Sequence, residues 1–78
     1  MHFVYILHSA VSGKYYCGES ADMEDRLERH NQGRSKATKA GVPWTLVKLI
    51  SVSDRKEAVK LEGQIEGRGI RRWLESNG

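Results

Sequence analysis

The chain has 78 residues, 38% of them hydrophobic and 29% charged, with a single proline and a formal net charge of +3. At this length one hydrophobic core can form and two cannot, because so short a chain buries only about 60% of its unfolded surface, and the composition excludes a disordered or fibrous protein. One cysteine, Cys17, rules out an internal disulfide, and no apolar run nears the roughly 18 residues of a membrane span, so the expectation is one packed cytoplasmic domain over residues 1–78, without a secretory leader.

Phe3 to His8 is a compact apolar run rich in β-branched and aromatic residues, and Lys14 to Gly18 is a second run centred on two tyrosines. Both read as strands, and the intervening Ser9-Ala10-Val11-Ser12-Gly13 is a turn, which makes them an antiparallel hairpin with Tyr5 and Tyr16 on neighbouring strands. Ser20 or Asp22 can cap a helix with Glu24 and Asp25 in its first turn, running to Asn31 and ended by Gly33. At 100° per residue Met23, Arg26, Leu27 and His30 share the stripe expected to meet the sheet. Gln32 to Pro43 reads as a loop, and Trp44 to Ser51 as a third strand. Asp54 and Glu57 form a capping box for a helix to about Glu66, on which Ala58, Leu61 and Ile65 are the apolar stripe and Glu62 sits within it. Gly67 and Gly69 are expected to break that helix, leaving Ile70, Trp73 and Leu74 for one or two final turns. The predicted class is α+β, a three-stranded antiparallel sheet flanked by helices in the order β-β-α-β-α-α.

Charge is unevenly placed: Glu19 to Gly33 holds five acids and two bases, whereas Arg34 to Ser53 holds Arg34, Lys36, Lys39 and Lys48 and no acid. A basic stretch suits a polyanion, although such loops are more often merely solvated. His2 and His8, without cysteine partners, make no zinc site. Tyr5, Tyr16, Arg26, His30 and Glu62 are the unusual placements. Singly, each has a bland explanation: a strand tyrosine with its hydroxyl at the rim, an arginine showing its head to water, a satisfied histidine, and a Glu62 paired with Arg26.

Together these residues resemble the GIY-YIG nuclease family. Phe3-Val4-Tyr5 and Tyr16-Cys17-Gly18 occupy the two tripeptides that name it. The run from Gly18 to Asn31 resembles its glycine, small hydroxyl, Asp-hydrophobic, Arg-Leu and His-Asn segment. Glu57-Ala58 and Leu61-Glu62 match the helix bearing its metal-binding glutamate. Phe3 stands where the family has glycine and Cys17 where it has isoleucine, and the family's C-terminal asparagine has no clear counterpart in Asn77. The resemblance implies a small stand-alone metal-dependent endonuclease acting on DNA, RNA not being excluded, with possible work in repair or recombination and a protein partner supplying specificity. It implies Tyr5, Tyr16, Arg26, His30 and Glu62 as catalytic residues, Glu62 holding one Mg²⁺ or Mn²⁺, and either tyrosine, Tyr16 slightly preferred, as general base. Lys14, Arg34, Lys36, Lys39, Arg71 and Arg72 are the expected backbone contacts. The alternatives are a binding module that keeps the fold without catalysis, and a domain in which these groups form a purely structural network.

Overall fold

A computed structural model describes residues 1–34, 36 and 38–77. Its central strand, β1 (His2–Ser9), pairs antiparallel with β2 (Tyr15–Ser20) on one side and β3 (Trp44–Val52) on the other. The hairpin closes where Gly13, at φ 73°, donates its N–H to the Ser9 carbonyl at 2.9 Å. Glycine reaches that left-handed backbone without penalty. Side chains alternate across a strand, so Val4 and Ile6 face one way and Tyr5 and Leu7 the other, and all four are at most 2% exposed. Burial on both faces is why this strand reads as a continuous apolar run rather than an alternating one.

The two faces carry separate clusters. On one, Val4, Ile6 and Cys17 pack with Ala58 and Ile65 of α2 (Arg55–Arg68), and Ile70, Trp73 and Leu74 of α3 (Ile70–Asn77) close the layer. On the other, Tyr5, Leu7 and Trp44 meet Met23 and Leu27 of α1 (Met23–Asn31). Trp44 reaches that face because the β1–β3 register shifts between Ile6, opposite Lys48, and Leu7, opposite Leu46. One extra residue, Val47, reverses the parity of the strand before it. The architecture is the α+β arrangement expected, with three antiparallel strands and three helices among the described residues.

Of the two candidate caps for α1, Asp22 takes the position, its side chain accepting from the Asp25 N–H at 3.1 Å, while the Ser20 hydroxyl braces the Asp22 backbone. Gly33, at φ 72°, turns the chain back at the other end: its N–H bonds to the His30 carbonyl and the Arg34 N–H to the Arg29 carbonyl. This is the double hydrogen bond of a Schellman turn. Asp54 caps α2 through the Glu57 N–H at 2.9 Å. Three expectations need correcting. Gly67 does not break α2, which continues through it to Arg68; a helical glycine costs about 1 kcal/mol relative to alanine but keeps the helical backbone, and only Gly69, at φ 97°, leaves it. The stretch read as a loop contains a short 3-10 turn at Lys39–Gly41, while positions 35 and 37 of it lie outside the described residues. On α1, His30 meets the sheet at 2% exposure, but Arg26 is exposed at the rim of the apolar stripe, its charged head kept in water. No helix among the described residues is long and apolar enough to cross a membrane.

Candidate active site

The face of the sheet under α1 gathers Tyr5, Tyr16 and His30, with Arg26 at its rim, whereas Glu62 is carried by α2 on the other side of the sheet. Tyr5 stands opposite Gly18 and Tyr16 opposite Leu7 in the hairpin, which sets the two phenol rings diagonally with centroids 6.3 Å apart. A Cβ at position 18 would come within 2.6 Å of the Tyr5 Cζ. Only glycine there lets the Tyr5 ring lie across β2. His30 descends from α1 between the tyrosines, its ring centroid 5.9 Å from that of Tyr5 and 5.1 Å from that of Tyr16. Its Nε2 is 3.1 Å from the Tyr5 hydroxyl and its Nδ1 is 2.7 Å from the Thr38 hydroxyl. Each group can supply one proton to the next, so Tyr5, His30 and Thr38 form a closed buried chain.

The loop after α1 is sewn to the same place. The Thr38 carbonyl accepts from the Trp44 indole at 2.7 Å, and the Asn31 side chain accepts from the Trp44 N–H at 2.6 Å and donates to its carbonyl at 3.1 Å. Trp44 edges onto Tyr16. Thr38 has no signal in a single sequence, and Asn31, matched there only as part of the His-Asn pair, gives no sign of its partners, because a hydroxyl in a loop and an amide at a helix end acquire them only when the chain closes.

Tyr16, Arg26 and His30 line one small cavity of about 170 Å³, joined there by Arg29 and Arg34. Arg34 is among the expected backbone contacts; Arg29 is not. Lys14 lines an adjacent pocket with Tyr15, Tyr16, Gly41 and Trp44. Lys36 and Lys39 are exposed on the intervening loop. Arg71 and Arg72 are not brought to this cavity. They belong to α3, on the opposite face, where Arg71 pairs with Glu75 at 3.8 Å and lines a separate pocket with Tyr15 and Lys48. Asn77 turns its amide back onto the Trp73 carbonyl of its own helix.

Burial dominates the electrostatics. It pushes the Tyr5 hydroxyl far above the usual phenol range, with Tyr16 adding to the shift and Arg26 opposing it. Tyr16 is also raised, by burial and then by Glu62, again against Arg26. His30 is lowered from its ordinary 6.5 by burial and then by Arg26, which keeps the imidazole neutral near pH 7. The Cys17 thiol, raised to about 12 by burial and by Glu62 and Glu66, is an inert core group.

Glu62 is half-buried on α2, and its charge reaches both tyrosines and Cys17. β2 is an edge strand, so no further strand stands between that side of α2 and the tyrosine face. The Glu62 carboxyl is raised by burial first, then by the nearby carboxylates of Glu66 and Glu19. Glu19 itself pairs with His2 and, at 3.7 Å, with Arg55. Crowded carboxylates are what a divalent cation relieves. Among the described residues no three His, Cys, Asp or Glu side chains stand close enough to hold an ion alone. A donor set of one or two carboxylates fits Mg²⁺, which keeps several waters, better than an ion needing a full protein cage.

A family model, the GIY-YIG catalytic domain, matches residues 1–69. The chain belongs to the GIY-YIG family. A UPF0213 protein of Lactococcus lactis subsp. cremoris is 36% identical over 62 residues, covering 78% of this chain and 62% of that protein. A second UPF0213 protein, from Halobacterium salinarum, is 34% identical, covering 85% of this chain and 86% of its own length. The fold is likewise similar to the solution NMR structure of a UPF0213 protein from Bacillus halodurans, with a TM-score of 0.58 and 28% identity over 95% of this chain and 79% of that one. Within the GIY-YIG pattern, the first tripeptide is carried by β1 and the second by β2. The departure at Cys17 falls in the core beneath α2, across the sheet from Tyr16, and that at Phe3 is half-buried near the start of β1.

Proposed function

We propose that the chain is a divalent-metal-dependent endonuclease that hydrolyses phosphodiester bonds of DNA with little sequence preference, acting as a single domain. The observation that carries this is the convergence of Tyr16, Arg26 and His30 on one cavity, with Tyr5 tying His30 from behind. A phosphodiester needs an in-line water made nucleophilic, charge neutralised on the phosphoryl oxygens, and help for the leaving oxygen.

Arg26, exposed at the cavity rim, has a planar fork of donors free to grip phosphoryl oxygens and oppose the charge that builds in the transition state. Of the two tyrosines, Tyr16 suits the base: it lines the cavity, whereas Tyr5 is 2% exposed and its hydroxyl is engaged with His30. Tyr16 must still lose its proton to act, and the positive charge of Arg26 favours the phenolate. His30, held neutral, orients the tyrosines and offers no competing positive charge. Glu62, with Glu66 beside it, would hold one Mg²⁺ or Mn²⁺. When bound, that ion supplies Lewis-acid neutralisation of the phosphoryl oxygens.

The test is cleavage of supercoiled plasmid and of branched DNA and RNA by wild type, Glu62→Ala and Arg26→Ala, each with Mg²⁺, Mn²⁺ or EDTA, after circular dichroism shows all three folded. Metal-dependent nicking is expected for the wild type, with a loss of about 100-fold or more in either variant. Binding without cutting under every metal condition would replace catalysis with a nucleic-acid-binding role. Cutting confined to RNA would move the substrate class.

A further inference from the structure

The cavity beside Tyr16 holds more positive charge than one phosphodiester requires. Three guanidiniums, Arg26, Arg29 and Arg34, line it together with Tyr16 and His30. None can shed its charge, since an arginine stays protonated at any physiological pH. A diester phosphate carries a single negative charge, and Arg26 alone matches it. The cavity is about 170 Å³, below the roughly 300–1000 Å³ of pockets that engulf a whole small molecule. It therefore takes a group projecting from a larger ligand.

Local backbone geometry explains why two further arginines are there. The Schellman turn at Gly33 hooks the Arg34 N–H onto the Arg29 carbonyl at 3.2 Å. The residue after the helix is thereby folded back over the last turn, beside the residue whose backbone carbonyl it is bonded to. The carbonyl end of α1 also favours cations at this spot. Asp25 pairs with Arg29 at 3.0 Å through groups each more than half exposed, so it offsets Arg29 only in part.

We infer that Arg34, with Arg29, forms a second phosphate subsite, taking the backbone phosphate next to the one held by Arg26 on the same nucleic-acid strand. The proposal rests on the nucleic-acid half of the function above and not on catalysis. It makes the end of α1 a two-phosphate clamp, so a strand is gripped on both sides of one sugar and presented to Tyr16 in one register.

Counting released counterions tests it. Fluorescence anisotropy in EDTA, with a labelled single-stranded and a labelled branched DNA, gives the slope of log affinity against log salt, which falls by about 0.7 per lost phosphate contact on single strands and about 0.9 on duplex. Arg26→Gln and Arg34→Gln should each lower the slope by one such step, and the double variant by two. Arg34→Lys, which keeps the charge, should retain the wild-type slope, as should Lys56→Gln on the exposed side of α2. The idea is overturned if Arg34→Gln keeps the wild-type slope, if the double variant loses no more than either single one (both arginines then sharing one phosphate), or if the wild type binds neither DNA. Plasmid nicking is scored separately, so a chain that binds with these slopes and never cuts retains the clamp and loses the nuclease assignment.

Discussion

Tyr5 and Tyr16 carry the same side chain on neighbouring strands of one sheet face, yet their surroundings give them different work. The Tyr5 hydroxyl is sealed in, bonded to His30 Nε2, with His30 in turn bonded to Thr38. Among the described residues no buried side-chain nitrogen or oxygen lacks a partner, so the chain Tyr5, His30, Thr38 is satisfied as it stands. Removing the Tyr5 hydroxyl leaves a buried ring nitrogen without its partner, which costs about 1–3 kcal/mol. Tyr16 is half-buried and its hydroxyl is not part of that chain. Tyr5→Phe should therefore lower the urea midpoint by the equivalent of about 1–3 kcal/mol, whereas Tyr16→Phe should leave it within about 0.5 kcal/mol and abolish nicking. Paired urea melts and plasmid assays read both effects. A Tyr5→Phe protein of unchanged stability, or a Tyr16→Phe protein of unchanged activity, would reverse the two assignments.

At the level of elements, the hairpin succeeds because one position has no side chain. Gly18 pairs with Tyr5, and a methyl group there would sit 2.6 Å from Cζ of a ring that has no room to withdraw. Gly18→Ala should cost about 1–3 kcal/mol through overpacking, visible as a lower thermal midpoint, with the loss partly recovered by Tyr5→Leu on the same background; a fully additive pair would mean that the two positions do not collide. Strands, helices and the Asp54 cap were legible in the sequence, and Asp22 as one of two candidate caps with Ser20, because their causes are local: apolar runs of strand length, a 3.6-residue stripe, and an aspartate three residues before the N–H it accepts. The same locality misassigned Gly67, since composition cannot tell a glycine that stays helical from Gly69, whose φ of 97° ends α2. The five candidate catalytic residues were nameable only through their joint resemblance to the GIY-YIG pattern, each having a bland explanation by itself. Thr38, the partners of Asn31 and the approach of Arg29 to the cavity were not, being products of how the loop after α1 closes on Trp44.

Taken as a whole, the molecule sets a basic cavity at one end of α1 against a carboxylate cluster on α2 and the edge of β2, where burial, Glu66 and Glu19 raise the cost of ionising Glu62. Like charges held together by a fold are a load on its stability, and a ligand that binds only the folded arrangement relieves it by mass action. At ten times its dissociation constant, Mg²⁺ would stabilise the chain by about 1.4 kcal/mol, which for a domain of this size is a rise of about 6–11 °C in Tm. The Glu62→Gln protein should begin at a Tm equal to or above the wild type, because it has lost one of the repelling charges, and should then gain nothing from the ion. Scanning calorimetry with Mg²⁺, against KCl at matched ionic strength, separates this from screening. With a net charge of +3, general screening would shift both proteins alike in both salts, whereas a shift confined to Mg²⁺ and to the protein with Glu62 intact locates the ion at that carboxylate without any reference to cleavage.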